Sequence, residues 1–226
     1  MGGKIRFNVA KFGAKVASQV SKFGFGSGNN LPGYVFYKIA GKEALKDLAH
    51  EMSIGPILIT GTNGKTTTTT LLIKLLSADT KIRKSFESNT IHAITTGILK
   101  GDGDLGVFEY GIRNKSYGIP DTVQRLIDPV GVVYTTISRE HSQVAGVKNP
   151  FEEYVDAKSL LSQGMTRGVV ISNADDPVTA NIACNKRNDL HVNFYGLAMI
   201  VLMIFSNQTV QIVQGVAKSL NTLKNS

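Results

Sequence analysis

Cysteine is scarce in this sequence, charge is sparse and no long apolar run occurs, and each scarcity removes a class of protein. Cys184 is the one cysteine in 226 residues, which excludes a disulfide scaffold and, for the chain as it stands, a thiolate zinc cluster. A reducing compartment, the cytoplasm, is therefore expected. Charged residues make up 19% against 42% hydrophobic, so the chain as a whole is globular and not disordered. The longest apolar run, Leu197 to Phe205, is about half the roughly 20 residues that span a bilayer. Lysines interrupt the N-terminus too often for the apolar stretch of a signal peptide. Acid is missing from the first 42 residues, which carry Lys4, Arg6, Lys11, Lys15, Lys22, Lys38 and Lys42. The formal net charge of +8 is concentrated there, and the rest of the chain is near neutral at +1. A neutral body argues against a nucleic-acid partner, because a phosphate backbone needs a contiguous basic face. The length fits one domain, alone or with appendages, able to bury roughly 70% of its unfolded surface.

Within the basic segment, Ile5, Val9, Phe12, Val16, Val20 and Phe23 recur at the spacing of one helix face. Lys4, Lys11, Lys15 and Lys22 follow that stripe's edge. Two readings stand side by side. One is an interfacial helix over residues 4–23 whose apolar face meets acyl chains while its lysines meet anionic headgroups, at the inner surface of the membrane. The other is a helix folded onto its own protein. Gly24, Gly26 and Gly28, followed by Asn29-Asn30-Leu31-Pro32-Gly33, read as linker and turn, so residues 1–33 form a basic appendage. Lys42 to Met52 reads as a short amphipathic helix.

From there the sequence alternates β-rich and helical runs. Strands are expected at Pro56 to Thr60, Lys81 to Phe86, Leu105 to Tyr110, Val130 to Thr136, Gly168 to Ser172 and Val192 to Tyr195. Helices are expected near Lys65 to Ser77, Ile91 to Leu99, Asp121 to Ile127, Phe151 to Ser162 and Pro177 to Cys184. Strands without polar alternation, separated by helices, imply a mostly parallel sheet covered on both faces. The fold class is a doubly wound α/β sheet over residues 34–196, with ligands beyond the carboxyl ends of the strands.

One strand-to-helix junction carries chemistry. Ile57-Leu58-Ile59-Thr60-Gly61-Thr62-Asn63-Gly64-Lys65-Thr66-Thr67 is a buried strand, a glycine turn and a helix start. Successive amides in such a turn, with the positive helix end, cradle phosphate oxygens. Lys65 would reach the terminal phosphates as a point charge, and the Thr66 hydroxyl would face Mg2+. The common phosphate loop has a glycine further upstream, where this chain has Ile59 and Thr60, so the general pattern fails by position. An ordinary glycine-rich turn is the bland alternative. Thr68, Thr69 and Thr70 read as packing or solvent contacts.

The shortened loop Thr60 to Thr67 is similar to that of the Mur ligase family, ATP-dependent enzymes that join amino acids or amines to carboxylates. Glu109, at the end of a hydrophobic strand, falls where that family places a carboxylate on a second Mg2+. Thr135-Thr136-Ile137-Ser138-Arg139-Glu140-His141 resembles a segment whose histidine is another metal ligand, with Thr136 in place of the usual Asn and Glu140 in place of the usual Asp. Tyr154-Val155-Asp156-Ala157-Lys158 resembles the segment bearing a carbamoylated lysine, and Asn173-Ala174-Asp175-Asp176 resembles the loop after the next strand. Taken alone, Glu109 is a solvated strand-end acid, His141 a capping residue, Lys158 a surface lysine, and Asp175 and Asp176 turn-formers or a cap before Pro177.

The resemblance implies a cytoplasmic ligase of cell-wall precursor biosynthesis that forms a C–N bond through an acyl phosphate, with ATP and Mg2+ and with Lys65, Glu109, His141 and Lys158 at the reacting centre. Phosphoryl transfer needs positioning and charge neutralisation more than covalent help, which suits these residue types. Gly26-Ser27-Gly28 and Leu31-Pro32-Gly33 are most like two branches: the archaeal pseudomurein peptide ligases, toward which Arg139-Glu140-His141 and Lys158 lean, and the subunit that amidates lipid-linked peptidoglycan precursor. The second branch would add ammonia as donor and a glutaminase subunit as partner. A catalytically inert nucleotide-binding module is the competing class. A phosphate-loop kinase or GTPase would need a guanine-specificity motif or an Asp base, and neither stands in suitable context.

Departures from the family begin near Leu197. Ala198 to Phe205 is uniformly apolar and a Gln, Val and Asn-rich stretch follows, so residues 197–226 read as an aberrant tail. Back-translating Thr209 to Lys218 from the third base of the Thr209 codon permits Cys-Pro-Asn-Cys-Pro-Arg-Cys-Gly-Lys, with the Cys-x-x-Cys spacing of a zinc site. Two readings stand: a frame-shifted, truncated end whose in-frame form would bind Zn2+, and a real but truncated protein with an unrelated tail.

Overall fold

A computed structural model describes residues 2–21, 30–140, 142, 148–185 and 190–197. His141, Lys22, Phe23, the glycines at 24, 26 and 28, and the 198–226 tail with its expected zinc sequence lie outside the described residues. The elements run α1 (Gly2–Ser21), α2 (Leu31–Ala40), α3 (Ala44–Ala49), β1 (Gly55–Thr60), α4 (Lys65–Leu76), β2 (Ile82–Ser88), α5 (Ile91–Lys100), β3 (Leu105–Tyr110), α6 (Lys115–Gly118), α7 (Pro120–Ile127), β4 (Gly131–Tyr134), α8 (Pro150–Gln163), β5 (Val169–Asn173), α9 (Pro177–Cys184) and β6 (His191–Tyr195).

The strands form one sheet in the order β2-β3-β1-β4-β5-β6, and every neighbouring pair is parallel. Parallel strands need covered faces, and β1, β3 and β4 are buried along their whole length. Leu58, Phe108, Val132 and Val170 belong to the larger core with α2, α3, α5, α7 and α8. Ile57, Ile59, Val107 and Val133 point the other way and meet Ile73, Leu72 and Leu76 of α4. After β1 the chain leaves for the far edge, returns through β3 and then passes β1 to reach β4. That reversal opens a crevice beyond the carboxyl ends of the central strands, where doubly wound sheets place ligands.

Local chemistry accounts for the helix starts. The side chains of Thr90, Asn114 and Asp176 accept the amides of Ala93, Tyr117 and Val178 at the caps of α5, α6 and α9. Pro120, Pro150 and Pro177 occupy first-turn positions that need no amide donor.

One expected turn is a helix. Leu31, Pro32 and Gly33 begin α2, because Pro32 suits a first helical turn and Gly33 serves close approach. A Cβ at Gly33 would run into the His92 carbonyl of α5, and its amide donates to Thr96 Oγ1 at 2.9 Å. Against α2 lies α1, with the Phe7 ring edge-on to Phe36 at 5.5 Å. The face of α1 turned inward is Ala10, Ala14 and Ala17. The expected apolar stripe faces outward: Ile5, Val9, Phe12, Val16 and Val20 are 65%, 53%, 70%, 47% and 42% exposed. The helix does fold onto its own protein, but with its small residues, because only Cβ-sized side chains let two helices approach closely.

Candidate functional site

Strand register aligns the site. Ile59 is level with Glu109 on β3 and Thr60 with Tyr134 on β4, so the loop after β1, the end of β3 and residues 135–140 emerge at one height. Gly64 takes a left-handed conformation at φ 83° as the cap of α4, which a side chain would strain. At Gly61 a Cβ would run into Thr135 Oγ1. Residues 135 and 136 stitch the loop down: the Thr62 amide donates to the Thr136 carbonyl at 2.5 Å, and Thr135 Oγ1 donates to the Asn63 carbonyl at 2.7 Å. The Ser138 amide donates to Thr62 Oγ1 at 3.0 Å, and Asn63 Nδ2 to Glu140 Oε2 at 3.0 Å. Of the two departures from the family pattern, Thr136 holds the loop by its main-chain carbonyl and Glu140 by its side chain. The amides of Lys65, Thr66 and Thr67 lie in the first turn of α4, where a helix offers no carbonyl to receive them. That is the donor set a polyphosphate needs.

Lys65 Nζ donates to the Thr62 carbonyl at 2.7 Å, folded over the loop. Its half-burial pulls its pKa down, and Glu109 partly restores it. Thr66 Oγ1 donates to Glu109 Oε2 at 2.9 Å, so the two expected metal ligands within the described residues are neighbours. A hydroxyl and a carboxylate are hard oxygen donors suited to Mg2+, which keeps waters and phosphate oxygens for its other positions. The residues present therefore fit ATP and Mg2+. Among the described residues no group of three or more His, Cys, Asp or Glu is placed to hold a metal ion, and Cys184 is exposed, so they contain no structural zinc site.

Lys158 is not the surface lysine its sequence permits. It is fully buried, and its Nζ donates to the carbonyls of Ile112 at 3.0 Å and Gly61 at 3.1 Å and lies 4.3 Å from the centre of the Tyr154 ring. Burial, with the Lys65 charge adding to it, lowers its pKa to about 7. Tyr154 OH lies 3.0 Å from Thr62 Oγ1, and burial raises the pKa of its phenol. Asp176 caps α9 and also accepts the Ile137 amide at 2.5 Å, whereas Asp175 accepts the Leu197 amide at 2.6 Å. Asp176 thus caps its helix and ties it to the chain after β4, and Asp175 ties the turn before α9 to the chain after β6.

A cavity of about 260 Å³ joins Gly61, Thr62, Lys65, Glu109 and Lys158 to Glu87, Asn89, Arg113 and Tyr154. The last four carry no role in the sequence reading. Glu87 lies near the end of β2, Asn89 follows it and Arg113 follows β3, positions that a parallel sheet aims at its ligand crevice. Tyr154 precedes Lys158 by four residues and so shares its helix face.

The chain is similar in sequence and fold to known proteins. A UDP-N-acetylmuramoyl-tripeptide–D-alanyl-D-alanine ligase of Bacillus subtilis is 30% identical over 146 residues, 61% of this chain and 31% of the relative. A UDP-N-acetylmuramoylalanine–D-glutamate ligase of Geobacillus kaustophilus is 32% identical over 144 residues, 63% of this chain and 30% of the relative. The chain thus spans less than a third of the length of these curated relatives. Among solved structures, MurF from Acinetobacter baumannii superposes with a TM-score of 0.55 at 19% identity, over 69% of this chain and 33% of that one. A pseudomurein peptide ligase type C from Methanothermus fervidus does so with a TM-score of 0.50 at 26% identity, over 66% and 28%. A family model described as the Mur ligase middle domain matches residues 59–214, a span that runs from the end of β1 into the segment the sequence reading set apart. With the loop, the sheet and that match in agreement, the chain belongs to the Mur ligase middle domain family.

Proposed function

We propose that this chain binds ATP with Mg2+ and supplies the phosphoryl-transfer half of an ATP-dependent carboxylate–amine ligase acting on a cell-wall precursor. The observation that carries the reading is the convergence of Lys65, Thr66 and Glu109 on one loop, with Thr66 Oγ1 2.9 Å from Glu109 Oε2. In the proposed reaction a substrate carboxylate oxygen attacks the γ-phosphorus of ATP, ADP departs and an acyl phosphate forms. The amine nitrogen then attacks the acyl carbon, inorganic phosphate leaves and the nitrogen gives up a proton. The first-turn amides of α4 orient the phosphates, and Lys65 neutralises charge that builds on the transferred group. Thr66 would hold one Mg2+ and Glu109, with His141 by the family resemblance, a second, and the metal would supply Lewis-acid polarisation of the phosphate oxygens.

Lys158 takes the carbamoylated role in this proposal. A lysine with its pKa near 7 is substantially unprotonated at neutral pH, and the free amine adds CO2 with loss of one proton to give a carbamate. The pseudomurein and peptidoglycan branches differ in acceptor, and the amidating branch in taking ammonia from a glutaminase subunit.

Titration of Mg-ATP into the chain tests the loop. Lys65→Ala loses on the order of a hundredfold in affinity, the value of one or two charge-assisted hydrogen bonds; wild-type affinity in that variant overturns the assignment. ATP turnover that depends on an added carboxylate and amine supports the ligase, while binding without turnover across the acceptor series supports the inert module.

A further inference from the structure

Among the described helices α1 shows solvent the longest apolar stripe, with Leu71 and Leu75 of α4 next. Ile5, Val9, Phe12, Val16 and Val20 all lie along one side and are all exposed, whereas exposed apolar residues on a soluble surface usually stand singly. The packed side is already occupied, with Ala10 and Ala14 in the core and Phe7 against Phe36. At 100° per residue the stripe centres more than 120° from that alanine face, so one helix cannot bury both against this body.

Charge decides what the stripe suits. Residues 1–42 contain no acid, and Lys4, Lys11 and Lys15 fall on a single flank of the stripe. Lys11 pairs with Glu51 at 2.6 Å, while Lys4 and Lys15 stand exposed. On that flank a groove of about 820 Å³ is lined by Lys11, Phe12, Lys15, Ser18, Gln19 and Lys100. Phe12 belongs to both stripe and groove, so apolar surface and cationic, hydroxyl-bearing surface are continuous. A second copy of this chain would bring two basic flanks together, which costs Coulomb energy. No helix among the described residues is long and apolar enough to cross a membrane, so the geometry is that of a helix lying in the interface.

We propose that α1 docks this chain on an anionic bilayer, with Ile5, Val9, Phe12, Val16 and Val20 entering the acyl boundary and the groove beside Lys15 receiving lipid phosphate headgroups. The sequence pattern leaves open which face of the helix is buried; the alanine packing leaves the stripe outside. The proposal is independent of the ligase reading, because its readout needs neither nucleotide nor turnover.

Flotation of the full chain with vesicles tests it. Vesicles of equal phosphatidylglycerol and phosphatidylcholine bind the wild type, and pure phosphatidylcholine binds it far less. Phe12→Ser with Val16→Ser loses about tenfold or more in partition onto the anionic vesicles, as expected for removing two inserted apolar side chains. Lys4→Gln and Lys15→Gln each lose about fivefold there and little on phosphatidylcholine. The chain has no tryptophan, so Phe12→Trp is a single reporter whose emission shifts to the blue on anionic vesicles. Wild-type flotation by the double serine variant, or no flotation by the wild type, overturns the proposal. So does a concentration-dependent dimer that the serine variant dissolves while vesicles are ignored, since the stripe is then a contact between copies. An unchanged melting temperature in each variant separates these outcomes from unfolding.

Discussion

At the carboxyl end of the sheet, charged groups are inside; on α1, large apolar groups are outside. Lys158 is 0% and Glu109 3% exposed, while Phe12 is 70% exposed. Each reverses the usual partition, and the two reversals have different causes. The buried lysine is held by carbonyls of the loop after β1 and of the chain after β3, so its cost is borne by a framework that many strands build. The exposed phenylalanine is held by its helix and by one edge of the groove beside Lys15. A reversal inside the body is therefore a property of the whole fold, and one on α1 is a property of a single surface. In the proposed function the first answers to nucleotide chemistry, the second to whatever lies outside the protein.

Three perturbations sharpen that contrast. The first acts where α1 packs on α2. Ala10→Leu, on the packed face of α1 at 0% exposure, overfills the contact with the core and destabilises the fold by about 2 kcal/mol in urea unfolding; Ala and Leu differ little in helix propensity, so the loss reports packing. The next concerns Lys158. Its folded pKa, about 7, lies below its ordinary 10.5, so between those values the unfolded chain holds the proton that the folded one has released. Its contribution to stability therefore rises as pH increases through that window, by at most about 1.4 kcal/mol per pH unit, and is flat below it. Lys158→Met removes that slope from a series of urea midpoints, and a slope unchanged by the substitution would show that the amine is not desolvated. The smallest effect is the reverse of the first: Phe12→Ser, on the outward stripe, shifts the unfolding free energy by no more than about 0.5 kcal/mol. A loss like that of Ala10→Leu would mean that the stripe is covered in solution.

Much of the body is legible in the order of its residues. The six strands fall at the expected places, with ends moved by a residue or two, because uninterrupted runs such as Ile57-Leu58-Ile59 and Val107-Phe108 need burial on both faces and short helices between them. The loop is legible for a related reason: Gly61, Gly64, Lys65 and Thr66 act through backbone geometry set within a few residues. Leu31 to Gly33 misleads, since Pro and Gly favour a turn locally but here begin α2, where the His92 carbonyl requires the bare glycine. Glu87, Asn89 and Arg113 carry no local mark; they matter because their strands end beside the loop.

By itself the sequence determined the parallel α/β class, the glycine turn between β1 and α4 and the amphipathic character of the first helix, all of which depend on neighbours a few positions apart. Only the tertiary structure decided that Lys158 is buried with, among the described residues, backbone carbonyls and no carboxylate as its hydrogen-bond partners, that Thr66 and Glu109 share a hydrogen bond, and that α1 packs by its alanines. Those outcomes depend on which surfaces compete for the same neighbour. On α1 the small residues prevail because they let two helices approach closely, and the large ones are left facing out.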